Sequence, residues 1–380
     1  MLSTWLWWTM LCAIHRKGVL GLDADAKTWI KETFRRSEYC RQYSRGGGSK
    51  YDHARPVEDV RLPGQQHVKT VRVGFVTSNP KLTPQAGDIY SCANLGKALQ
   101  SLHGWNVTTL VKGNSWYDAR DVDLLVVALD RYDLRRVTTN NPDMLVVAWV
   151  RNWFRRWWKR PWHNMYHIYM ASSASGADWL HRKLRTQVKV LRLAADHETF
   201  YPRSATPDLT ADFTFVGSNW GGKRELFYLD VAAINGSCAF YGRMLDQIPN
   251  LRACEKGVME YSDTAKLYSS SKIVVDDTNH ATGPWGSLNG RVYEGIAAGS
   301  LVVTNNVKGG QDALDGNVPS WTTARELRIL LQSLLEDEKE RTGVAHQLRL
   351  KVLERHTYTH RAMEFVCNLG EYLQSSLQEE

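Results

Sequence analysis

From Val71 onward the chain alternates two kinds of pattern: short runs of consecutive apolar residues, and stretches in which apolar residues recur at helical spacing. VRVGFVT, residues 71–77, is the first run and ends in a polar loop, SNPKLTPQAGD. Ile89, Cys92, Leu95, Ala98, Leu99 and Leu102 then fall on one helical face, with Gly104 placed to cap it. Trp105 to Val111, Leu124 to Leu129 and Met144 to Val150 read as further buried strands. A helix over Ser172 to Leu184 and a strand over Val188 to Leu193 close this half. The second half repeats the logic, with strands at Phe213 to Val216, Ala239 to Tyr241, Ile273 to Val275 and Leu301 to Thr304. Helices are expected over Lys223 to Ile234, Asp263 to Tyr268, Thr322 to Leu335, Ala345 to Val352 and Thr357 to Ser376. Strands alternating with helices predict parallel sheets covered on both faces. The fold class is therefore α/β, with two Rossmann-like domains joined near AADHETFYP, residues 194–202.

The ends of the chain depart from this pattern. Residues 1–68 read as an N-terminal helical extension and linker, with Trp29, Ile30 and Phe34 on one helical face. GGGSKYDHARP then breaks all periodicity. Residues 69–200 are the expected first domain, 201–356 the second, and 357–380 a C-terminal helix. No run of about 18 apolar residues occurs, so no spanning helix is expected. The apolar start around Trp5, Trp7 and Trp8 lacks the basic opening of a signal peptide and reads as a docking helix or an interfacial anchor.

Charge changes the picture of partners more than of fold. Lys and Arg number 48 against 40 Asp and Glu, a net charge of +8. Such a balance favours anionic partners: nucleotide-sugars, lipid head groups or nucleic acid. The six cysteines are far apart, with no CxxC and no Cys/His metal spacing. Reduced thiols in a cytoplasmic protein are the expectation.

Candidate chemistry concentrates at strand ends. SLNGRVYEGIAAGSLVVTNN, residues 287–306, starts a helix at Asn289, carries Arg291 and Glu294 on its first turns, and packs small residues against a strand. A helix N-terminus attracts anions, and Glu294 is placed to hold a hydroxyl pair. The plain alternative is a surface pair of Arg291 and Glu294. In FVGSNWGGKRE, residues 215–225, backbone amides at Gly217 and Ser218 can approach a phosphate, with Lys223 or Arg224 neutralising it. The GK[ST] ending of a Walker A loop is absent. YGRM offers Arg243 as another phosphate contact. In the first half, Asp88 follows Gly87 at a helix start, either as a cap or as a base facing an acceptor. AWVRNWFRRWWKRPWHN, residues 148–164, brings Arg151 and Asn152 to the same cleft. Its Trp153, Trp157, Trp158 and Trp162 interleave with Arg155, Arg156, Lys159 and Arg160. That mixture suits sugar stacking, a membrane interface, nucleic acid, or a helix with packed Trp and solvated Arg. Asp121 and Asp123 precede a strand, so no metal site is expected there. Asp276 and Asp277 follow one and are expected to shape the donor loop.

In their order along the chain, AWVRNW, LAADHETFYP, DFTFVGS, YSSSKIVVDD and NGRVYEGIAAGSLVVTNN resemble GT-B glycosyltransferases, specifically the CgeB-like branch of the family-one-type (group 1) enzymes. The resemblance spans Val71 to Leu373. It implies two Rossmann domains facing across a cleft, a nucleotide-sugar co-substrate held mainly by the second, no cofactor, and transfer without a metal. It also implies a C-terminal helix that crosses back to the first domain. Many retaining members carry two glutamates around the donor. Glu294 matches the second; the first falls at Gly286, where backbone amides of Gly286 and Ser287 are expected to serve instead. The function so implied is transfer of a sugar from a nucleoside diphosphate to a hydroxyl of a glycan, lipid-linked or protein acceptor. Glu294 would hold donor hydroxyls, Asn289 would order the helix start, and Arg291, Lys223, Arg224 and Arg243 would carry diphosphate charge. Asp88, Arg151 and Asn152 would face the acceptor or the transferred sugar. The protein is expected in the cytoplasm, with weak contact to a membrane surface and no specific nucleic acid partner. Two other classes fit parts of the sequence: a basic, Trp-rich nucleic-acid-binding protein, and a catalytically silent nucleotide-sugar-binding protein.

Overall fold

The computed structural model describes residues 24–37, 39–40, 70–81, 86–113, 115–219 and 224–375. After helix α1 (Ala24–Arg36), the first domain contains β1 (Arg72–Thr77), α2 (Gly87–His103), β2 (Asn106–Val111), β3 (Leu124–Val127) and β4 (Leu145–Val150). It continues through α3 (Phe154–Trp158), β5 (Ile168–Ala171), α4 (Ala174–Leu184) and β6 (Val188–Val190). Its strands are all parallel, in the order β2-β1-β3-β4-β5-β6. The second domain holds β7 (Ala211–Val216), β8 (Cys238–Tyr241), α5 (Tyr261–Ser269), β9 (Ser271–Asp276), α6 (Gly290–Ala297) and β10 (Leu301–Thr304). Helices α7 (Val307–Leu314), α8 (Ala324–Glu336) and α9 (Glu338–Arg355) follow. Its sheet is also parallel, in the order β10-β9-β7-β8. Helix α10 (Tyr358–Ser375) then returns to the first domain and packs on α1 and α2.

The apolar runs become strands because both faces of each sheet are covered. Every residue of β3 and β4 is buried. Small residues set how closely the helices lie. A Cβ at Gly96 of α2 would sit 2.7 Å from a Val107 methyl, and one at Gly295 of α6 would sit 2.9 Å from a Val302 methyl. Gly295 of α6 is therefore a packing requirement of the second sheet.

The Trp-rich segment divides by burial. Trp157 and Trp162 fill the first-domain core beside Phe154, Tyr166 and Tyr169, whereas Arg155, Arg156 and Lys159 are exposed. The reading of packed Trp with solvated Arg holds for this pair. Trp5, Trp7 and Trp8 lie outside the described residues. Among the described residues no helix is long and apolar enough to cross a membrane.

Two expectations are corrected. The stretch expected as a helix over Lys223 to Ile234 forms short 3-10 turns at Glu225–Tyr228 and Val231–Ala233 instead. Leu226, Leu229, Val231 and Ile234 are all buried. No single helical stripe holds positions 229 and 231 together, so the backbone resets between them. Four of the cysteines are also paired, not reduced: Cys40 bonds Cys367 and Cys238 bonds Cys254, with Cα separations of 5.2 and 5.1 Å, while buried Cys92 is free and Cys12 lies outside the described residues. Linear spacing hid the first pair because only the return of α10 brings residue 367 beside residue 40. Disulfides persist in oxidising surroundings, so the cytoplasmic expectation loses the support it drew from reduced thiols.

Candidate active site between the two sheets

In each sheet the chain leaves a central strand toward one edge and then toward the other. Ligands of open α/β sheets bind at such points, outside the carboxyl ends of the strands. In the first domain the point lies between β1 and β3, in the second between β7 and β9. An arginine occupies each. Arg151, at the end of β4, reaches Ser91 Oγ at 3.3 Å and the Ala128 carbonyl at 3.5 Å, while its buried Nε has no partner among the described residues. Arg224 donates to the carbonyls of Asp277 and, at 3.4 Å, Ser218.

Around Arg224 the second domain gathers positive charge. Two guanidinium groups lie near the Phe215 ring, Arg224 at 5.6 Å and Arg291 at 4.9 Å from its centroid. Burial, and then the charge of Arg291, lower the Arg224 pKa. Gly217 follows β7 directly beneath this pair. A Cβ there would meet Phe215 at 2.7 Å and Arg291 Nη2 at 3.0 Å. Gly242 must be glycine for a parallel reason, since its Cβ would lie 2.1 Å from the Gly217 carbonyl oxygen. The Ser218 hydroxyl accepts from the Arg243 backbone N–H at 3.1 Å, so Arg243 is held beside this loop by its main chain.

Both carboxylates after β9 are committed to the protein. Asp276 accepts from Thr304 Oγ1 at 2.7 Å, Thr278 Oγ1 at 3.0 Å, Asn289 Nδ2 at 2.7 Å and Arg291 Nη1 at 3.3 Å. Asn289 thus ties the start of α6 to the end of β9, and Asp276 aims Arg291. Asp277 accepts from the Leu226 N–H at 2.9 Å and from Asn305 Nδ2 at 2.7 Å, and burial raises its pKa. Among the described residues no group of His, Cys, Asp and Glu is arranged to hold a metal ion. Asp123 instead binds Arg72 in a two-pronged pair, at 3.0 and 2.8 Å.

Glu294 stands at the boundary of the two domains. Its carboxylate accepts from Tyr261 Oη at 2.7 Å. Tyr261 opens α5 and stacks on Tyr90 of the first domain, with ring centroids 3.8 Å apart. Asn94, one turn further along α2, points its amide at the same phenol from 3.5 Å. Burial pushes the Glu294 carboxyl up to about 7, against the opposing pull of Tyr261 and Arg291. Tyr358, at the start of α10, feels both Glu294 and Arg151, and burial raises its phenol.

The predicted residues separate into groups. Arg224, Arg291, Glu294, Asn289, Gly217, Ser218 and Arg243 converge at the second-domain point. Lys223 lies outside the described residues. Asp88 is buried, and its carboxylate accepts from the Ser78 N–H at 2.5 Å and from Ser78 Oγ at 3.2 Å. Neither sequence alternative for Asp88 describes this contact: Ala86 holds the cap position, and the Asp88 side chain fixes the loop after β1. Asn152 is half-buried, and its carbonyl accepts from Trp157 Nε1 at 3.1 Å. Gly286 and Ser287 need correction. Their amides donate within their own turn, to Gly283 and Thr282 at 3.0 and 3.3 Å, so they are not free donors. The buried Ser287 hydroxyl instead joins the domains, 2.6 Å from Ser172 Oγ and 3.2 Å from the Arg151 carbonyl. Gly286 has φ 65°, and a Cβ there would press on Lys308 and Ser175. The sequence reading missed Tyr261, Tyr90 and Phe215. Tyr90 lies just past a quoted loop and Phe215 inside a quoted motif without standing out by type, and Tyr261 bore no spacing signal toward Glu294.

This two-domain arrangement is the GT-B fold. Residues 198–366 match the family model described as glycosyl transferase-like. A glycosyltransferase from Rickettsia africae ESF-5 superposes with a TM-score of 0.55 at 13% identity, over 82% of this chain and 100% of that one. Sucrose-phosphate synthase from Thermosynechococcus elongatus gives a TM-score of 0.57 at 13% identity, over 82% and 100%. A mutant of S. aureus TarM, solved with UDP among its ligands, gives 0.50 at 12% identity, over 64% and 54%. No curated protein sequence matches this chain.

Proposed function

We propose that the protein is a glycosyltransferase of the CgeB-like branch that moves a sugar from a nucleoside diphosphate to a hydroxyl acceptor without a metal ion. The observation that carries this reading is the pair of arginines, Arg224 and Arg291, gathered around Phe215 beside Gly217 at the end of β7. Two guanidinium groups, Arg291 on the first turn of α6 and Arg224 beside it, suit a diphosphate. As the bond between sugar and diphosphate breaks, negative charge grows on the leaving group, and fixed cations there lower the barrier. Arg243 and Lys223 belong to the same pool. Glu294, on the next turn, accepts from donor hydroxyls. The UDP in the TarM structure is in keeping with such a donor. Asp276 and Asp277 have their oxygens taken by protein donors, which favours basic side chains over a bridging ion. Arg151 and Asn152 face the acceptor side.

A thermal-shift series of nucleoside diphosphates and their sugars, run with EDTA, tests this, because a ligand of the native state raises apparent stability. At least one diphosphate should raise Tm in EDTA, and its sugar conjugate should be hydrolysed slowly. If none binds, the assignment fails. A second reading, a silent nucleotide-sugar-binding protein, is favoured by Asp88, whose carboxylate is buried and accepts on both oxygens from Ser78. Binding without hydrolysis or transfer would select it.

A further inference from the structure

Helix α3 turns two residue classes to opposite sides. Phe154 and Trp157 enter the core, and Arg155, Arg156 and Lys159 face outward. The outward cations do not hang free in water: each rests near an aromatic face. Arg156 lies 3.6 Å from the Trp153 ring centroid, and Arg155 lies 6.0 Å from Trp285. Lys159 and Lys183 share Trp158, both at 5.9 Å. Arg136 lies 4.3 Å from Tyr117 on the neighbouring loop. Among the described residues, none of these five cations is in an ion pair. A cation held on a ring keeps its charge and loses side-chain freedom, so less entropy remains to be lost when an anion binds.

Resting on the glycosyltransferase reading, we infer that this face is the acceptor's track and that the acceptor is an acidic glycan, carrying sulfate, carboxylate or phosphate groups along its length. The track begins at the cleft: Trp153, which bears Arg156, donates its backbone N–H to the Ala281 carbonyl of the second domain at 3.1 Å, and Arg151 and Asn152 immediately precede it. A flexible acidic chain can lie on the cations while one of its hydroxyls enters that cleft. A bilayer is a poorer fit, because no Trp among the described residues is fully exposed for insertion. Single-stranded nucleic acid is also a poorer fit, because the ring faces it would stack on already carry cations.

The test compares the full chain with an Arg155→Gln, Arg156→Gln, Lys159→Gln triple variant. All three side chains are exposed, so the fold should survive, and circular dichroism with Tm checks it. The probes are a heparin-derived hexasaccharide, neutral dextran of equal size, anionic phosphatidylserine vesicles, and a duplex or single-stranded oligonucleotide. The native chain should bind the hexasaccharide and not dextran, with affinity that falls with salt. The triple variant should bind about tenfold or more weakly, with a log–log salt slope reduced by about 2–3. Nucleoside diphosphate affinity should be equal in the two proteins, which separates this inference from the donor assignment. Equal hexasaccharide binding by the two proteins overturns the inference. So does preferential binding of vesicles or of oligonucleotide.

Discussion

The Tyr261 phenol donates to the Glu294 carboxylate over 2.7 Å while its ring lies flat on Tyr90 of the other domain. The carboxylate assigned to the donor is thus aimed by a residue that itself rests on the acceptor-side domain.

Tyr261→Phe keeps the ring and its stack but removes the donor to Glu294. A hydrogen bond to a charged group is worth about 1.5–3 kcal/mol, so the Glu294 carboxyl should move up from about 7 by about one unit or more. Donor affinity at pH 7 should fall and recover at higher pH. Tyr90→Leu removes the stack alone and should leave that pH dependence in place. Calorimetric titration of a nucleoside diphosphate between pH 6 and 9 reads both (about 3 pH units brackets the shift). An unchanged pH profile in Tyr261→Phe would show that the phenol does not position Glu294.

Glu294 itself should show a trade between stability and binding. Its carboxyl titrates near 4.5 in an unfolded chain and at about 7 in the folded one. Between those values the folded state holds the proton more tightly, so stability falls as pH rises through that window. The shift corresponds to roughly 3 kcal/mol. Glu294→Gln should therefore flatten the dependence of Tm on pH from 4.5 to 7 and be as stable as the parent, or more so, at pH 8. Donor KM should rise at every pH in the same variant. Unaltered donor kinetics in the folded variant would remove Glu294 from the site.

Asp276 tests the metal question without relying on chelation alone. Its two oxygens accept from four protein donors and are fully buried. Asp276→Asn turns an NH2 toward donors and strands Arg291 without its charge partner, a loss of about 3–5 kcal/mol. Tm should drop sharply, and added Mn2+ or Mg2+ should restore neither stability nor activity. Activity of the native chain should survive EDTA. Loss on chelation with recovery in Mg2+ would reassign Asp276 and Asp277 to a metal.

The disulfides make a separate prediction. Non-reducing digestion should yield one peptide joining Cys40 to Cys367 and another joining Cys238 to Cys254. Breaking the first with Cys367→Ser should cost about 2–4 kcal/mol and loosen α1 from α10, where Phe34 already lies against Gly370. Full alkylation of native protein without reductant would return the cysteines to the thiol state expected from their spacing.

Much of this architecture is written in local pattern. The alternation of buried strands with helices from residue 71, the small residues of α6, and the placing of Arg291 and Glu294 on the first turns of that helix all follow from neighbours within about twenty positions. Those features depend on periodicity and on how closely a helix can approach a sheet, which a linear reading captures. Other features depend on contacts between distant segments. Tyr261 reaches Glu294 only because α5 and α6 pack side by side, and Tyr90 reaches Tyr261 only because the domains meet. Cys40 finds Cys367 only because α10 crosses back. Gly286 and Ser287, which alignment with a missing glutamate made donor candidates, have their amides taken by a turn and a hydroxyl taken by the other domain. Residue type and spacing set which groups could serve; folding decided which had lone pairs and N–H groups left to offer a ligand.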